Sequence, residues 1–318
     1  MTSRLNNKIT MTTPLFEVRN LSLSFKKYGE GLREEETYVI RNLDFSIHEG
    51  EIIALVGASG SGKSLFVDAI LGILPRNALL YGTINYKGKA LSEERKKILR
   101  GKEISLIPQS IDALDPLMKV GKQVQSIIKE KNKRMIQQKV FQKLGLPDTS
   151  SERYPFELSG GMARKVLIST AMASDAKLIV ADEPTSGLDE KSLQEMLYHL
   201  KQLVTKERGL LFITHDITAA LEIAHKVVVF YAGQTVEIAN ITDFTGKGER
   251  LRHPYTKALW NALPQNSFTT LKGVDETWPA PLSGCSFVNH CPIATDRCRQ
   301  GMVSIKKVID GMVRCFYA

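Results

Sequence analysis

The sequence predicts an α/β fold in which helices cover a mostly parallel β-sheet. Short apolar segments with the length of buried strands, at 178–181, 210–214 and 227–231, alternate with amphipathic helical segments. A further apolar segment, 52–56, runs into a glycine-rich turn and then a helix. The chain has 318 residues, of which 43% are hydrophobic, so it is long enough for one large packed domain with an appendage.

The segments before the glycine-rich turn predict an antiparallel β-layer. Residues 16–25 and 38–47 alternate between apolar and polar side chains, as half-buried strands do, and a charged insertion at 26–36 separates them. After the turn, 65–74 predicts a buried helix that ends before Pro75, and 81–86 is again strand-like. We therefore expect a small N-terminal β-layer ahead of the main sheet.

The glycine-rich turn has the pattern of a phosphate-binding loop. Its backbone N–H groups can converge on a triphosphate, while the lysine reaches the β- and γ-phosphates and the last serine reaches Mg²⁺. A flexible glycine turn does not explain a Lys-Ser pair directly after the last glycine. The expected nucleotide-binding residues are Gly57, Ala58, Ser59, Gly60, Ser61, Gly62, Lys63 and Ser64.

Two carboxylates follow the apolar segment 178–181. Asp182 and Glu183 lie at the carboxyl end of a predicted parallel strand, where such sheets present ligand-binding groups. Asp182 suits Mg²⁺ binding, and Glu183 suits polarisation of an attacking water. A strand-end Asp-Glu pair is weak evidence alone, but the phosphate-binding loop upstream makes it a prediction of nucleotide hydrolysis.

The region from about 110 to 173 differs from its surroundings, because apolar residues recur there at helical spacing. It predicts an inserted helical subdomain. Within it, residues 158–162 read Leu-Ser-Gly-Gly-Met before a helix, where Ser159 can cap the helix and Gly160 and Gly161 leave N–H groups accessible. A simple capping turn is the alternative to a second phosphate-binding element.

With these motifs the sequence resembles the ABC transporter ATPases, a family of P-loop NTPases. The residues that carry the resemblance are the phosphate-binding loop, the signature at 158–162 and the Asp182-Glu183 pair. The resemblance implies that Gln109 is the Q-loop glutamine, that 186–189 is the D-loop and that His215 is the switch histidine. It also implies an ATPase domain at 14–245 that contains the helical subdomain.

In that family two subunits pair head to tail, so ATP bound to one phosphate-binding loop is covered by the signature of the other. The resemblance implies catalytic roles for Glu183, His215 and Gln109, and Mg²⁺ bound by Ser64, Gln109 and Asp182. Further nucleotide contacts are implied for Ser159, Gly160, Gly161 and Asp189. The aromatic residue that stacks on adenine is expected to be Phe25, with Tyr28 and Tyr38 as alternatives.

The C-terminal part, 246–318, resembles the peptide and nickel importer branch of the family. The resemblance rests on a His-Pro-Tyr-Thr element at 253–256 and on four cysteines, Cys285, Cys291, Cys298 and Cys315. Members of this branch can hold an iron–sulfur cluster at such cysteines, which implies a [4Fe-4S] cluster. Zinc is the alternative, although the paired C-x-x-C spacing typical of zinc sites is absent. Unligated cysteines are the third interpretation.

The chain departs from the branch pattern at two places. Ala163, Arg164 and Lys165 stand where an Arg/Gln pair is usual, and residues 110–112 follow Gln109 where an Asp/Glu-Pro is usual. Both departures concern contacts of the helical subdomain rather than ATP binding. Met11 is followed by a plausible opening, so Met1 and Met11 are both candidate starts.

The resemblance implies an ATP-hydrolysing importer subunit for dipeptides or oligopeptides, at the cytoplasmic face of the inner membrane. Its partners would be a second ATPase, identical or not, two transmembrane permeases and an extracytoplasmic solute-binding protein. Import of nickel or another small solute is the alternative. A soluble ABC ATPase acting on nucleic acid or ribosomes is less favoured, because the sequence has one motif set and no long arm, so no nucleic-acid partner is expected.

The composition agrees with this expectation but does not decide it. A net charge of +9 permits nucleic acid, an anionic membrane or an acidic partner. No apolar run approaches the roughly 20 residues of a membrane-spanning helix, and the first residues lack the apolar stretch of a secretory signal. Glu183 and His215 are both present, which argues against a non-hydrolysing regulatory ATPase.

Overall fold

The computed structural model describes residues 13–28, 34–267, 283–301, 303–309 and 311–318. Both candidate start residues, Met1 and Met11, lie outside the described residues. The strands are β1 (Phe16–Tyr28), β2 (Glu34–Ile47), β3 (Ile52–Val56), β4 (Ala78–Tyr86), β5 (Lys89–Ala90), β6 (Ile104–Ile107), β7 (Leu178–Asp182), β8 (Gly209–Thr214), β9 (Lys226–Tyr231), β10 (Gln234–Asn240), β11 (Lys306–Val308) and β12 (Gly311–Val313).

The helices alternate with strands in the first two thirds of the chain. They are α1 (Lys63–Leu71), α2 (Glu93–Leu99), α3 (Val120–Ile127), α4 (Lys133–Lys143), α5 (Gly160–Ala173), α6 (Glu190–Leu203), α7 (Ile217–Ile223), α8 (Pro254–Asn261) and α9 (Asp296–Arg299). The predicted boundaries of the helix after the phosphate-binding loop, 65–74, agree with α1 within about three residues.

The larger sheet is mostly parallel in its centre, as predicted. Over the described residues its strand order is β11-β12-β10-β9-β3-β8-β7-β6, and β9, β3, β8, β7 and β6 run parallel to one another. Strands β3, β7 and β8 are buried along their whole length, which explains why they read as continuous apolar runs. Their carboxyl ends therefore meet at one edge of the sheet.

The predicted antiparallel β-layer is confirmed. It is a separate sheet of order β2-β1-β4-β5, in which each neighbouring pair is antiparallel. Its apolar face packs with α1 and the adjacent face of β3, β7 and β8 into one buried cluster, which includes Phe16, Phe45 and Phe66. The β-layer thus lies beside the first helix after the phosphate-binding loop.

The region from 110 to 173 contains α3, α4 and α5, as expected for an inserted helical subdomain. Val124, Phe141 and Ile168 of these helices belong to one buried cluster, which extends to the other face of the main sheet. The helices therefore pack on a continuation of the core.

The C-terminal residues return to the main sheet, which the sequence did not predict. Strand β12 pairs antiparallel with β10, and β11 pairs with β12. At Gly311 an added Cβ would lie 2.2 Å from the carbonyl oxygen of Ile238, so only glycine permits this close approach. The segment after Gly246 is thus attached to the ATPase core through the sheet edge.

Candidate functional site

The phosphate-binding loop joins β3 to α1 and leaves the start of the helix open. Gly62 precedes α1 with φ of 99°, a conformation that favours glycine. An added Cβ at Gly62 would lie 2.9 Å from Cγ1 of Val39 in the β-layer, so the packing of this layer also requires glycine. The first N–H groups of α1 can therefore receive an anion, as helix N-termini do.

Lys63 is the buried cation of this loop, with 4% of its surface exposed. Its Nζ donates hydrogen bonds to the carbonyl oxygens of Gly57 at 2.8 Å and Ala58 at 2.7 Å. It also lies 3.4 Å from Oε1 of Glu183. The ammonium group is thus held by its own loop and by the carboxylate that follows β7.

Glu183 and His215 follow neighbouring parallel strands and meet at the sheet edge. Oε2 of Glu183 lies 3.2 Å from Nδ1 of His215. Glu183 has φ of 44°, an uncommon left-handed conformation for a residue with a Cβ, and its N–H is held by the carbonyl oxygen of Ile213. The fold holds this backbone strain at the predicted catalytic carboxylate, where such strain often accompanies function.

Asp182 lies at the end of β7 and is mostly buried, with 8% of its surface exposed. Its Oδ1 has no hydrogen-bond partner. Burial is the main cause that raises the pKa of Asp182, the neighbouring charge of Glu183 adds to this shift, and the neighbouring Ser64 hydroxyl lowers the pKa. An unpartnered buried carboxylate oxygen beside a serine hydroxyl fits the oxygen ligands that Mg²⁺ prefers.

Gln109 lies away from this group in the contacts that the structure gives. It follows β6 and lines a cleft of about 490 Å³ together with Gly160, Gly161, Arg164 and Ser186. The described residues therefore bring together Lys63, Ser64, Asp182, Glu183 and His215. Gln109 instead lines a cleft beside the signature helix of its own chain.

The signature residues form an exposed helix start. Ser159 caps α5 by accepting a hydrogen bond from the N–H of Met162 at 3.3 Å, as its position predicted. An added Cβ at Gly160 or at Gly161 would meet no heavy atom within 4 Å. The N-terminus of this 14-residue helix is thus open for a ligand from outside the chain.

Asp189 acts as a helix cap within the chain. Its carboxylate accepts hydrogen bonds from the N–H of Ser192 at 3.0 Å and from the Ser192 hydroxyl at 2.7 Å. These bonds are the main cause that lowers the pKa of Asp189. Within this chain the carboxylate stabilises the start of α6. Its contact with nucleotide stays a prediction.

The candidates for adenine stacking have different surroundings. Phe25 is half-buried and packs against the core of the β-layer, opposite Thr37. The ring of Tyr38 stacks on Tyr81, with 6.3 Å between ring centroids. The side chain of Tyr28 lies outside what the structure describes. Since Tyr38 already has an aromatic partner, Phe25 remains the preferred prediction.

The four cysteines converge on one small cavity in the C-terminal region. Its volume is about 10 Å³, about enough for one water, and His253 also lines it. Three of the sulfurs have a backbone N–H two residues later as hydrogen-bond donor, namely Phe287 for Cys285, Ile293 for Cys291 and Tyr317 for Cys315. The fourth sulfur, that of Cys298, is hydrogen-bonded to the Thr295 hydroxyl, and either atom can be the donor.

The thiols are not arranged as a finished metal site. Burial raises the pKa of the Cys285 thiol to about 11 and also raises that of Cys291. Among the residues that the structure describes, no group of three or more Cys, His, Asp or Glu side chains is arranged to hold a metal ion. The four cysteines therefore share one cavity but do not form a preformed metal site, and the iron–sulfur cluster stays a prediction.

Two family matches divide the chain. Residues 40–186 match the family described as ABC transporter, and residues 236–298 match the C-terminal region of oligopeptide/dipeptide transporters. The dipeptide transport ATP-binding protein of Escherichia coli K12 is 34% identical, over 95% of this chain and 96% of its own length.

The chain belongs to the ATP-binding subunits of ABC transporters, in the oligopeptide/dipeptide branch. A probable peptide ABC transporter ATP-binding protein of Sinorhizobium fredii is 33% identical, with 93% of this chain and 92% of the relative covered. The oligopeptide transport ATP-binding protein of Bacillus subtilis is 34% identical, with 86% and 80% covered.

Solved structures confirm the ABC ATPase fold. An ATP-binding cassette solved as a dimer in a post-hydrolysis state, bound to ADP and Pi, aligns with a TM-score of 0.61 at 24% identity. The alignment covers 71% of this chain and 98% of that structure. Within the described parts of this ABC ATPase, every helix is too short or too polar to span a membrane.

The structure gives roles to two residues near the C-terminal site that the sequence analysis of this ABC ATPase did not predict. His253 caps α8, since its Nδ1 accepts the Tyr255 N–H at 3.1 Å, and burial lowers its pKa to about 3. Arg314, next to Cys315, is buried and donates hydrogen bonds to Thr235 and to Asp44 of the core. A Pro after His253 signalled the helix start. No local sequence pattern predicted the hydrogen bonds of Arg314 to the core.

Proposed function

We propose that this ABC ATPase binds Mg-ATP between two subunits and hydrolyses it to drive the uptake of dipeptides or oligopeptides. The observation that carries the proposal is the joint position of Lys63, Glu183 and His215 at one sheet edge. The names of the relatives, which are dipeptide and oligopeptide transport ATP-binding proteins, support peptides as the solute class. Nickel or another small solute is the alternative.

In this proposal the side chains at the sheet edge divide the work. Lys63 exchanges its carbonyl partners and Glu183 for the β- and γ-phosphates when ATP enters. This frees Glu183 to accept a hydrogen bond from the attacking water, and His215 holds the carboxylate and contacts the γ-phosphate. Mg²⁺, when bound, neutralises phosphate charge. Ser64 and Asp182 hold it, with Gln109 as a third contact.

The second face of the nucleotide belongs to another subunit. The exposed helix start at Ser159, Gly160 and Gly161 of one chain covers the ATP held by Lys63 of its neighbour. Phe25 stacks on the adenine, and Asp189 supports the interface while capping α6. Because subunits of the family pair head to tail, one chain alone would not form a complete ATP site.

The remaining partners follow from the branch. We propose two transmembrane permeases that receive the ATPase domain, 14–245, through its helical subdomain, and a solute-binding protein outside the membrane. The chain then lies at the cytoplasmic face of the inner membrane as a peripheral subunit. Residues 246–318 are then a branch-specific extension, whose strands β11 and β12 join the main sheet.

The experiment is a substrate-dependent ATPase assay on the complex reconstituted with its permeases and binding protein. Dipeptides and oligopeptides should stimulate turnover, whereas Ni²⁺ should not. Stimulation by Ni²⁺ alone would replace the peptide proposal with the nickel alternative. The transport proposal would be overturned if neither peptides nor Ni²⁺ raised turnover and RNA or ribosomes did.

We further propose that Cys285, Cys291, Cys298 and Cys315 hold a [4Fe-4S] cluster, with zinc as the alternative. Two observations support the proposal: all four cysteines line one cavity, and each sulfur has a hydrogen-bonding partner. Hydrogen bonds of this kind stabilise bound thiolates and tune cluster potentials. The cavity itself holds only about one water, so a cluster would require the thiols to move apart. The cluster would supply a structural crosslink within the extension.

Anaerobic purification followed by iron, sulfide and zinc analysis tests the cysteine proposal. We expect a brown protein with broad visible absorption and about four irons per chain. The Cys298→Ser variant should lose the colour, whereas Ser286→Ala beside Cys285 should keep it. Stoichiometric zinc without iron would overturn the cluster.

A further inference from the structure

Arg164 is a half-buried cation on the first turns of the signature helix, at a position where the chain departs from its branch. Its Nη2 donates a hydrogen bond of 2.7 Å to the carbonyl oxygen of Ser186. Ser186 belongs to the turn that follows the catalytic carboxylate, and the side chain of Arg164 lines the same cleft as Gln109 and Gly161. Helix α5 and this turn are thus joined by one charged hydrogen bond.

We propose that Arg164 is a positioning residue that connects the signature helix to the catalytic carboxylate of the same chain. The inference rests on the proposed ATP hydrolysis between two subunits. In that arrangement α5 serves the ATP of the neighbour, while Glu183 serves the ATP of its own chain. A contact between them lets the state of one ATP site act on the other.

The path from Arg164 to Glu183 consists of two hydrogen bonds. Arg164 binds the carbonyl oxygen of Ser186, and the N–H of Ser186 donates to the carbonyl oxygen of Glu183 at 3.2 Å. Beyond it, the N–H of Leu188 donates to Thr185 at 3.4 Å, and Gly187 has φ of 68°. The segment 183–188 is therefore a tight turn whose outer carbonyl is held by Arg164.

The turn needs such a contact because its first residue is strained. Glu183 adopts φ of 44°, which costs free energy for a residue with a Cβ and persists only where neighbouring groups enforce it. Hydrogen bonds from a charged donor are stronger than neutral ones. A half-buried guanidinium on a regular helix is therefore a suitable group to hold the turn, and with it the direction of the Glu183 side chain.

Lys165 provides a matched control on the same helix. It is also a cation, but its Nζ binds Glu195 of α6 at 2.6 Å rather than the turn after Glu183. If any cation at the start of α5 supported activity through general stability, Arg164 and Lys165 would behave alike. A specific link through Ser186 predicts that only Arg164 affects turnover.

The test compares Arg164→Met, Arg164→Lys and Lys165→Met in the assembled transporter. Methionine keeps much of the side-chain length but removes the donor, whereas lysine keeps one charged donor. We expect Arg164→Met to lower kcat about tenfold, with KM for ATP changed less than twofold, because nucleotide binding by Lys63 is intact. Arg164→Lys should recover at least half of the loss, and Lys165→Met should match the wild type.

Failure of this inference can be told apart from failure of the proposed function. Wild-type kcat in Arg164→Met overturns the link, provided that the unmodified transporter hydrolyses ATP and Glu183→Gln does not. An equal loss in Lys165→Met, or a loss that Arg164→Lys does not relieve, also overturns it. Absence of ATP hydrolysis in the unmodified, peptide-stimulated complex would instead count against the proposed function.

Discussion

Two adjacent carboxylates differ in chemistry because the end of β7 places them in different surroundings. Asp182 is the last buried residue of the strand, and its Oδ1 lacks a partner. Glu183 turns into the left-handed region and faces Lys63 and His215. The end of the strand and the left-handed turn at Glu183 therefore give one carboxylate to the Ser64 side and the other to Lys63 and His215.

Asp182→Asn should weaken the response of the ATPase to Mg²⁺ more than its binding of ATP. Asparagine keeps the shape and one oxygen but removes the charge that favours a divalent cation, so we expect the Mg²⁺ concentration for half-maximal turnover to rise about tenfold. A Mg²⁺ titration at fixed ATP measures it. Asp175→Asn, which affects only an exposed pair with Lys129, should leave the titration unchanged. An unchanged titration in Asp182→Asn would contradict this role.

His199 predicts a pH dependence of stability. Its Nε2 is buried on α6 without a hydrogen-bond partner, 3.7 Å from Oε1 of Glu195. Burial lowers the pKa of His199, while Glu195 opposes this shift and Lys165 and Lys143 reinforce it. The unfolded chain takes up a proton near pH 6.5, but the folded chain does so only at lower pH, so acidification below 6.5 favours unfolding.

Urea unfolding between pH 7 and 5.5 measures this effect. The contribution of His199 should reach at most about 1.4 kcal/mol per pH unit. His199→Gln, which cannot take up a proton, should lose stability less steeply than the wild type. Equal slopes in the two proteins would show that His199 does not contribute.

At the scale of elements, the strands and helices with strong local patterns were predictable. β3, the phosphate-binding loop and α1 lie next to one another in sequence, so an apolar run, glycines and a Lys-Ser pair identify them together. Asp182 and Glu183 were predictable because they follow a buried strand, at the edge where parallel sheets present ligand-binding groups. His215 was identified from the family resemblance.

Elements that depend on distant partners were not predictable. β11 and β12 have only three residues each and form a sheet edge through β10, about 70 residues earlier in the chain. Segments this short carry no periodicity. The contact of Arg164 with Ser186 was missed for a similar reason, since it depends on how α5 packs beside the turn after β7.

Arg314→Met should loosen the extension from the main sheet. The buried guanidinium of Arg314 donates to four groups on the core and the extension, namely Thr235, Val303, Asn42 and Asp44. Losing these bonds leaves buried acceptors without partners, which we expect to cost about 3 kcal/mol. Hydrogen exchange should rise in β12 and β10 while nucleotide binding is retained. Arg297→Met, at an exposed ring contact, should show neither change.

At the scale of the whole molecule, the proposed function assigns two parts of the chain to one reaction. Lys63 and Glu183 at the sheet edge belong to one part, and the open start of α5, where Gly161 has free space around it, belongs to the other. In the proposed pairing the second part comes from another subunit. Binding of ATP and its enclosure should therefore be separable by mutation.

Glu183→Gln in the assembled transporter should hold ATP without hydrolysing it, because the water loses its carboxylate while phosphate contacts remain. Labelled ATP should then co-elute with the complex in gel filtration. Adding Gly161→Glu places a negative charge where the phosphates of the neighbour's ATP would lie, so enclosure should be lost. The isolated double variant should still bind a fluorescent ATP analogue as Glu183→Gln does. Retained enclosure in the double variant would show that α5 does not cover the nucleotide.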